Sequence, residues 1–420
     1  MGACAEIVRP RRESLENLFS REQDDQELEA LAGILPSQVI ERFVESGKIA
    51  SPGYPIAPNQ IQPASLDLRL GRKAYQVSAS FLPGKFTIDK KIRDWFMREI
   101  SLDSPAVFRP GEVYIVPLIE ELRLPPDVRG KANPKSTIGR LDIFTRLITQ
   151  VGQEFESVPP NYNGGLYLEV VSRTFQVVVR AGMRLTQLRF IKGKATSEVP
   201  DNMLLKLSKK EQLVYADDDN PLEARIGGGL RMSLDLQGDG SKIIGYEARD
   251  DAPVLDLANI NYYDPEKFWI ALEGPLIDRG LILNRGHFYI LASAEKFSVP
   301  PMYAAEMVPY DASIGEFRVH YAGFFDPGFG YGLNDIRGTK AVLEVRAHEV
   351  PIILEHKQLV GRLAYHQMAQ KPKKLYGPSI GSSYQQQGLA LSKQFKRPAY
   401  VDRESVLPMS SPPARELVGN

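Results

Sequence analysis

The sequence predicts a mainly β, antiparallel protein with few short helices, and three observations support this prediction. Short apolar or alternating runs such as GHFYILAS and KAVLEVRA recur between Gly, Pro, Asn and Asp residues, a pattern typical of strands joined by turns. Apolar residues with helical periodicity are scarce outside residues 35–47, which predict one short amphipathic helix. The pattern of the first half also returns in the second, so we expect two similar β domains.

The internal repeat emerges when the chain is shifted by about 175 residues against itself. Matching residues keep their order across most of each half, which chance matches between strands do not explain. Upstream, SLDLRLGRK at 65–73 is similar to SLDLQGDGSK at 233–242. The matched pairs include Gly111 with Gly286, Tyr114 with Tyr289, Pro134 with Pro309, Glu169 with Glu344, and Leu188 with Leu363. We therefore interpret the chain as a duplicated domain.

Composition along the chain predicts where the domains begin and end. The first residues are polar and acidic, an Asp run interrupts the middle, and Gly, Ser, Gln and Pro dominate the end. The predicted organisation is a mobile tail at 1–28, a first domain at 29–200, a linker at 201–225, a second domain at 226–370, an arm that closes the site at 371–400, and a tail at 401–420.

Charge and cysteine content argue against several classes of function. Lys+Arg and Asp+Glu are both 52, so the net charge is zero and no basic excess predicts a nucleic-acid partner. Cys4 is the single cysteine, which excludes an internal disulfide and Cys-rich zinc sites and favours a cytoplasmic protein. The five histidines form no zinc motif, and no run of about 18 apolar residues predicts a membrane span. We expect neither a zinc cofactor nor a membrane or nucleic-acid partner.

Residues 135–140 form the first candidate site. Their mixture of cations, hydroxyls and Gly suits a phosphate, because backbone N–H groups and hydroxyls bond phosphate oxygens while the cations neutralise their charge. A polar turn between strands is the alternative, and the segment taken alone favours that turn. The residues are Lys135, Ser136, Thr137, Ile138, Gly139 and Arg140.

Two further candidates lie in the second half. The run at 326–332, DPGFGYG, predicts either a tight turn or a loop that brings backbone and an aromatic ring close to a flat ligand. Glu344 lies in the middle of an apolar strand, and Glu169 takes the same position in the first half. Alternation can place such a Glu on a solvated face. If it faces a cleft instead, burial raises its pKa and makes it a general base near neutral pH.

The Gly-, Ser- and Gln-rich segment that follows Leu375 is the fourth candidate. Such a composition usually marks a flexible linker. However, Tyr376, Tyr384 and Gln387 within this segment also suit a lid that closes over a nucleotide.

Together these motifs resemble the dCTP deaminase family, within the trimeric dUTPase-like superfamily, over most of residues 35–395. QPASLDLRLG at 62–71 is similar to the family's opening strand, and KSTIGRL at 135–141 is similar to its phosphate motif. YGPSIGSSYQQQG at 376–388 resembles the family's nucleotide-closing arm. The resemblance implies two tandem dUTPase-like domains, each a distorted β-barrel or jelly-roll.

The resemblance also implies one composite site per chain. In the family, the phosphate motif of one subunit faces the Glu strand and the arm of its neighbour. The first half keeps the phosphate motif, whereas the equivalent segment of the second half, 311–316, carries acids that would repel a triphosphate. The second half keeps Asp326-Pro327-Gly328 and Val342-Leu343-Glu344, which resemble two further family segments. Glu169 is then a relic or a structural residue.

For this site the resemblance implies zinc-independent, hydrolytic deamination of dCTP to dUTP and ammonia, supplying dUTP for dTTP synthesis. Glu344 would be the general base and acid, while Arg140 and Ser136 hold the water and stabilise the tetrahedral intermediate. Mg²⁺ would bind with the triphosphate. The implied nucleotide-binding residues are Lys135, Ser136, Thr137, Ile138, Gly139, Arg140, Asp326 beside the sugar, Val342, Leu343, Tyr376, Tyr384 and Gln387.

Two positions depart from the family's pattern. Lys135 replaces an Arg, which removes a bidentate phosphate contact, and Ser383 stands where the arm should carry a Lys. Lys340 or Lys393 are the candidates to compensate.

Three alternatives stay open at this stage. A dUTP diphosphatase, or a bifunctional enzyme that converts dCTP through dUTP to dUMP, would use Asp326 or Glu344 to activate water toward the α-phosphorus. A regulatory protein would bind dCTP or dTTP without turnover, and a β-sandwich interaction module would leave the candidate residues scattered. The resemblance further implies dCTP as substrate, dTTP as an inhibitor, and a homo-oligomer such as a trimer of two-domain chains.

Overall fold

The computed structural model describes residues 32–193, 197–238, 240, 242–308, 317–319, 323–332, 336–347, 350–377 and 388–397. Tyr384 and Gln387, predicted to close the site, lie outside the described residues, as do Ser383 and the 311–316 segment. The predicted mainly β fold with few short helices is confirmed.

The first half contains thirteen strands in the described residues, and the second half repeats their arrangement. The strands of the first half are β1 (Gly33–Ile34), β2 (Ile49–Ala50), β3 (Leu66–Arg69), β4 (Lys73–Val77), β5 (Phe96–Ser101), β6 (Ala106–Phe108), β7 (Val113–Arg123), β8 (Val128–Pro134), β9 (Ile143–Thr149), β10 (Ser157–Val158), β11 (Asn163–Ser172), β12 (Val177–Val179) and β13 (Arg184–Lys192). Those of the second half are β14 (Val214–Tyr215), β15 (Leu230–Ser233), β16 (Ile243–Ala248), β17 (Leu255–Asp256), β18 (Trp269–Glu273), β19 (Leu281–Leu283), β20 (Phe288–Phe297), β21 (Tyr303–Val308), β22 (Phe317–Val319), β23 (Phe324–Phe325), β24 (Thr339–Ala347), β25 (Ile352–Leu354) and β26 (Leu359–Gln367).

The described helices are few and short. They are α1 (Ser37–Glu45), α2 (Ile88–Asp94), α3 (Ser136–Gly139) and α4 (Asp201–Lys210), with single 3₁₀ turns at Pro58–Gln60 and Pro265–Lys267. Helix α1 confirms the helix predicted from the 35–47 pattern. Helix α4 and strand β14 lie within the stretch predicted as a linker, which is therefore ordered where it approaches the second half. None of the helices in the described ranges is long and apolar enough to span a membrane.

The sheet topology demonstrates the duplication strand by strand. One sheet of the first half has the order β5-β4-β7-β11-β9, with β2 on β7. Its counterpart in the second half has the order β18-β16-β20-β24-β22, with β14 on β20. The second sheet repeats in the same way, since β13 pairs with β3 and β8 while β26 pairs with β15 and β21. The predicted pairing of the two halves is therefore present in three dimensions.

One match of the predicted repeat is wrong, and the backbone pairing corrects it. Leu66 lies opposite Leu188, whereas Leu230 lies opposite Leu363, the repeat partner of Leu188. Strand β3 is therefore equivalent to β15, and Arg69 is equivalent to Ser233, although the letters SLDL suggested an alignment of 65–73 with 233–242. Two alternating, Leu-rich strands can be aligned almost equally well at two registers that differ by a few residues. The backbone hydrogen bonds decide which of the two alignments is correct.

The larger of the hydrophobic core clusters spans the two halves, which also make several direct contacts, while a second cluster belongs to the second half. Strand β12 of the first half pairs in parallel with β17 of the second. Arg180 donates to both carboxylate oxygens of Asp256 at 2.6 Å beside that pairing. The larger core cluster combines first-half residues with Trp269, Phe288 and Phe395 from the second half and the C-terminal segment. This fixed junction is where the candidate residues meet.

Candidate active site

A small cavity of about 60 Å³ lies where the two halves meet, and both halves supply its walls. From the first half it is lined by Asn133, Pro134, Lys135, Ser136, Gly139 and Arg140. From the second half it is lined by Met307, Gly323, Phe324, Phe325, Phe329, Ala341, Val342, Glu344 and Tyr376. Three features therefore converge at one place within a single chain: the 135–140 segment, which we call the phosphate-like motif because it resembles the family's phosphate motif, strand β24 with Glu344, and Tyr376 at the start of the arm.

The phosphate-like motif forms the single turn of helix α3 directly after strand β8. Lys135 precedes the turn, and its ammonium pairs with the buried carboxylate of Asp67 on strand β3. Ser136 and Gly139 face the cavity, whereas Ile138 packs into the shared core. Thr137 is buried and its carbonyl accepts a hydrogen bond from Ser392 at 2.7 Å. The motif thus presents one hydroxyl, a glycine and two cations toward the cavity region.

Glu344 is the carboxylate of this cavity. It sits in the middle of strand β24, opposite Ile290 of β20, and is 5% exposed. Its Oε1 lies 3.9 Å from Nε of Arg140, which comes from the other half of the chain. Burial raises the pKa of Glu344 from its usual 4.5 to about 7, while the Arg140 charge opposes part of that rise. A carboxyl of this kind exchanges protons near neutral pH.

Arg140 is held by the C-terminal segment as well as by its own helix. Its Nη1 donates to the carbonyl of Ala390 at 3.0 Å. Two residues later, Ser392 binds the Thr137 carbonyl, and Phe395 is buried against Trp269 with ring centroids 5.9 Å apart. The segment 388–397, which we call the strap, therefore ties the phosphate-like motif to the second half.

Asp326 lies beside the cavity and is engaged by a buried arginine. Arg189 Nη2 lies 3.2 Å from Oδ1 of Asp326, and the same group donates to the Phe325 carbonyl at 2.9 Å. The Arg189 guanidinium also lies 3.9 Å from the centre of the Phe324 ring. Burial raises the pKa of Asp326, against the opposing charge of Arg189. This ion pair fixes the loop whose aromatic rings wall the cavity.

The aromatic wall needs a glycine at its base. Phe329 lies at 4.9 Å from Phe325 and at 5.5 Å from Tyr376, measured between ring centroids. Gly328 has a φ of +94°, and a Cβ there would lie 3.0 Å from the backbone nitrogen of Tyr376. The Tyr376 N–H donates to the Pro327 carbonyl at 2.8 Å, so the start of the arm is docked on this turn. The 326–332 segment was predicted either as a tight turn or as a loop that brings an aromatic ring to a ligand. The two interpretations are compatible, because the turn at Gly328 places the Phe329 ring in the cavity wall.

The structure brings together most of the residues that the sequence singled out. Lys135, Ser136, Gly139, Arg140, Val342, Glu344 and Tyr376 line the cavity, while Thr137, Ile138, Asp326 and Leu343 do not. Leu343 packs into the core of the second half because side chains alternate along β24. Of the two candidate compensating cations, Lys340 pairs elsewhere with Asp217 and Asp235 at 2.8 and 2.7 Å. Lys393 directly follows Ser392, which donates to the Thr137 carbonyl, so the chain brings Lys393 to the phosphate-like motif. Burial and the Lys135 charge lower the pKa of Lys393.

Glu169 has a different environment from its repeat partner Glu344. It is fully buried, and Nε of Arg146 on the neighbouring strand β9 donates to its Oε1 at 2.8 Å. Arg146 is the residue directly opposite Glu169 in the β9–β11 pairing. The Arg146 guanidinium also lies 3.8 Å from the centre of the Phe155 ring. Glu169 is therefore part of a structural ion pair within the first half.

Several residues that line the cavity were not predicted from the sequence. Asn133 and Pro134 precede the phosphate-like motif, so their closeness in sequence could have indicated them. Met307 and Ala341 are small or apolar strand residues with no chemical signal of their own. Arg189 was missed because an arginine within an apolar strand normally predicts a solvated position. Across the described residues, no three His, Cys, Asp or Glu side chains gather closely enough to hold a metal ion.

Comparison with known proteins agrees with this duplicated fold and junction site. The N-terminal domain model of 2'-deoxycytidine 5'-triphosphate deaminase matches residues 31–194, and the C-terminal domain model matches residues 200–395. A crystal structure of 2'-deoxycytidine 5'-triphosphate deaminase from Agrobacterium tumefaciens is 47% identical, with a TM-score of 0.75. The match covers 80% of this chain and 99% of that one. The chain therefore belongs to the dCTP deaminase family.

More distant relatives match a single half. A "dCTP deaminase, dUMP-forming" from Dictyoglomus thermophilum is 29% identical over 202 residues, which is 46% of this chain and 94% of that protein. A "dCTP deaminase" from Halorubrum lacusprofundi is 26% identical over 194 residues, 46% of this chain and 89% of that protein. These relatives are about half as long as this chain, as expected if it carries two fused repeats.

Proposed function

We propose that this protein catalyses the hydrolytic deamination of dCTP to dUTP and ammonia without zinc. The observation that carries the proposal is the meeting of Arg140 from the first half with the buried Glu344 from the second, in one cavity. Family membership supports dCTP as the substrate. The resulting dUTP would supply dTTP synthesis, with dTTP as an inhibitor and a homo-oligomer as the working assembly.

Glu344 is the proton-transfer group of the proposed reaction. With its pKa near 7, its ionised form takes a proton from water, and the hydroxide attacks C4 of the cytosine ring. The carboxyl then passes that proton to the exocyclic nitrogen, and the hydroxyl proton of the tetrahedral intermediate ends on ring N3. The C4–N bond breaks, ammonia leaves and the C4 carbonyl of uracil forms. Arg140 and the Ser136 hydroxyl hold the water and the tetrahedral intermediate in place.

The first half would bind the triphosphate. Lys135 and the Ser136 hydroxyl border the cavity, and Lys393 on the strap brings a further cation toward Lys135. These donors suit phosphate oxygens rather than a metal ion. Mg²⁺ would be carried by the triphosphate and would neutralise part of its charge. Tyr376, with Tyr384 and Gln387 further along the arm, would close the site.

A bifunctional enzyme that releases dUMP is the second candidate, because the relative from Dictyoglomus thermophilum is named as dUMP-forming. That reaction needs a carboxylate that activates water toward the α-phosphorus. Asp326 is a weak candidate because Arg189 already holds its carboxylate in a buried ion pair. Glu344 would then have to serve both steps.

The test is product analysis with purified protein, dCTP and Mg²⁺, in the presence of a zinc-selective chelator. Chromatography that resolves dUTP, dUMP and ammonia is run in parallel on Glu344→Gln. We expect dUTP and ammonia from the natural chain and neither from the variant. Release of dUMP and pyrophosphate would assign the bifunctional reaction. Binding of dCTP without any product would contradict an enzyme and favour a nucleotide-binding regulator.

A further inference from the structure

Strand β24 carries a second charged residue on the same face as Glu344. Side chains alternate along a strand, so Arg346, two residues further on, points to that face as well. Arg140 of the first half meets Glu344. Asp142, two residues after Arg140, meets Arg346. Two ion pairs of opposite polarity therefore join the 140–142 turn to β24, about 7 Å apart along the strand.

The Asp142–Arg346 ion pair is buried and held by hydrogen bonds. The Asp142 side chain is fully buried, and the Arg346 side chain is 11% exposed. Arg346 Nη2 donates to Oδ2 of Asp142, and the Thr174 hydroxyl donates to the same oxygen at 2.6 Å. Arg346 also donates from Nη2 to the Thr174 hydroxyl at 2.9 Å and from Nη1 to the Gly286 carbonyl. We call Asp142, Thr174 and Arg346 the clamp.

Asp142 lies in the same backbone turn as Arg140. The Asp142 N–H donates to the Gly139 carbonyl at 2.9 Å, and the Asp142 carbonyl accepts from the Arg173 N–H at 3.0 Å. Leu141, between Arg140 and Asp142, is fully buried in the core cluster that spans the two halves. Asp142 has a φ of +53°, in the left-handed region that Asp tolerates better than most residues. Because the turn is anchored in this way, the position of Asp142 determines that of Arg140.

The first half has an apolar residue where the clamp has its arginine. Val171 is the repeat partner of Arg346, and a valine forms no ion pair. Beside it, Glu169 accepts a hydrogen bond from Nε of Arg146 at 2.8 Å. Glu344, which lies beside the clamp, instead stays 3.9 Å from its arginine. The clamp thus accompanies the more separated of the two carboxylate–arginine pairs.

We propose that Asp142 and Arg346 are positioning residues, which keep Arg140 from closing onto Glu344. Opposite charges attract strongly in a buried site, so an ion pair held at 3.9 Å needs a structure that keeps its members apart. The clamp supplies this restraint, because its short contacts fix the 140–142 turn against β24. The cavity of about 60 Å³ beside Glu344 then has room for the attacking water. This inference rests on the proposed deamination.

The charges of the clamp cancel each other, which allows position and charge to be tested separately. Asp142→Asn alone makes the surroundings of Glu344 more positive, and Arg346→Met alone makes them more negative. The double variant Asp142→Asn/Arg346→Met removes the clamp and leaves the net charge beside Glu344 unchanged. Asn also tolerates the left-handed backbone of position 142. The other titratable residues that line the cavity and stay constant in these variants are Lys135, Arg140 and Tyr376.

The test follows the Glu344 carboxyl of the full-length chain by ¹³C NMR titration, with Glu344→Gln to assign its resonance. In the double variant, Arg140 should close onto Glu344, and the pKa of Glu344 should fall from about 7 by at least about 1. Steady-state kinetics with dCTP should show kcat lowered by about 10- to 100-fold, because the proposed general base is weaker and misplaced. KM should stay within about threefold, since the triphosphate contacts are untouched.

Two further variants serve as controls. Arg346→Lys keeps a cation that reaches Asp142, so it should recover most of kcat and the natural titration of Glu344. Asp256→Asn breaks another ion pair between the halves, formed with Arg180, whose members do not line the cavity. It should change neither the titration nor kcat. Circular dichroism and urea unfolding establish that each variant is folded before it is measured.

The outcomes separate the clamp from the reaction itself. An unchanged Glu344 titration and kcat in the folded double variant would overturn the proposal, as would a rise in that pKa or equal losses in Asp256→Asn. If the natural chain forms no product from dCTP, the proposed function fails instead, and the NMR titration still tests the clamp because it needs no turnover. If the double variant does not fold, kcat of Arg346→Met is compared with that of Arg346→Lys, and equal values would contradict the proposal.

Discussion

Glu344 and Glu169 occupy the same position of the duplicated barrel, yet Glu344 lines the junction cavity whereas Glu169 is fully buried against Arg146. The difference comes from the arginine that each one meets. Glu169 receives Arg146 from the directly opposed residue of its own sheet, at hydrogen-bond distance. Glu344 meets Arg140 from the other half of the chain, 3.9 Å away. A close partner within the sheet makes a buried carboxylate structural, whereas a more distant partner across a junction leaves it available for proton transfer.

The largest expected effect separates these two carboxylates directly. Glu344→Gln should lower kcat by about 10²- to 10⁴-fold, since it removes the proposed general base and acid. Glu169→Gln should leave kcat within about threefold but lower the free energy of unfolding by about 3–5 kcal/mol, because it breaks a buried ion pair. Steady-state kinetics and urea unfolding of both variants measure the contrast. Equal kinetic losses in the two would mean that Glu169 also belongs to an active site.

Substitutions of Arg140 and Arg146 should also differ in their effect on activity. Arg140→Lys keeps a charge but loses the guanidinium fork, so we expect kcat/KM to fall by about 10- to 100-fold. The charge of Arg140 restrains the pKa of Glu344, and a displaced ammonium would let that pKa rise above about 7. The acidic limb of the kcat profile should therefore move to higher pH. Arg146→Lys is the matched control. An identical shift of the acidic limb in that variant would contradict the assignment of Arg140 as the charge that restrains the pKa of Glu344.

The raised pKa of Glu344 also predicts how stability changes with pH. Between its usual 4.5 and about 7, the folded chain holds a proton on Glu344 that the unfolded chain has lost. The contribution of Glu344 to stability is thus fully present below pH 4.5 and is lost as pH rises toward 7. Glu344→Gln should be more stable than the natural chain by about 2–3 kcal/mol at pH 8 and equal to it at pH 4. Denaturant unfolding at both pH values measures this difference, and a constant difference would contradict the buried, proton-holding carboxyl.

The smallest effect concerns the strap. Ser392→Ala removes the hydrogen bond to the Thr137 carbonyl and should cost about 1 kcal/mol of stability. Since the Ala390 carbonyl that holds Arg140 lies two residues away, kcat should fall by a few fold without a change in dCTP affinity. Ser392→Thr keeps the hydroxyl and should restore both values. Loss of activity in Ser392→Thr as well as in Ser392→Ala would show that packing, and not this hydrogen bond, is what matters.

Much of this arrangement was predictable from the sequence. The repeat and the strand pattern predicted the duplicated β fold, because the two-residue period of the strands and the order of the turn residues can be recognised in the sequence. The pairing of the 135–140 motif with Glu344 followed from the family resemblance, and the cavity contains most of that set.

The remainder depends on contacts that leave no sequence signature. Arg140 binds a backbone carbonyl of Ala390, and any residue there would supply the same oxygen. The SLDL match was wrong because the register of alternating strands is fixed by hydrogen bonds and not by similar letters. Lys340 was a candidate phosphate cation, but Asp235 stands where the first half has Gly71, and this new carboxylate captures the lysine.

The central claim is that one chain supplies both the arginine and the glutamate of its site. The most direct measurement co-expresses Arg140→Ala chains with Glu344→Gln chains and assays the mixed, purified protein for dCTP deamination. Each chain then carries a defect in its own site, so we predict no recovery above the activity of either variant alone. Recovery toward about a quarter of full activity would contradict the claim, since random pairing of subunits would then have rebuilt intact sites between chains.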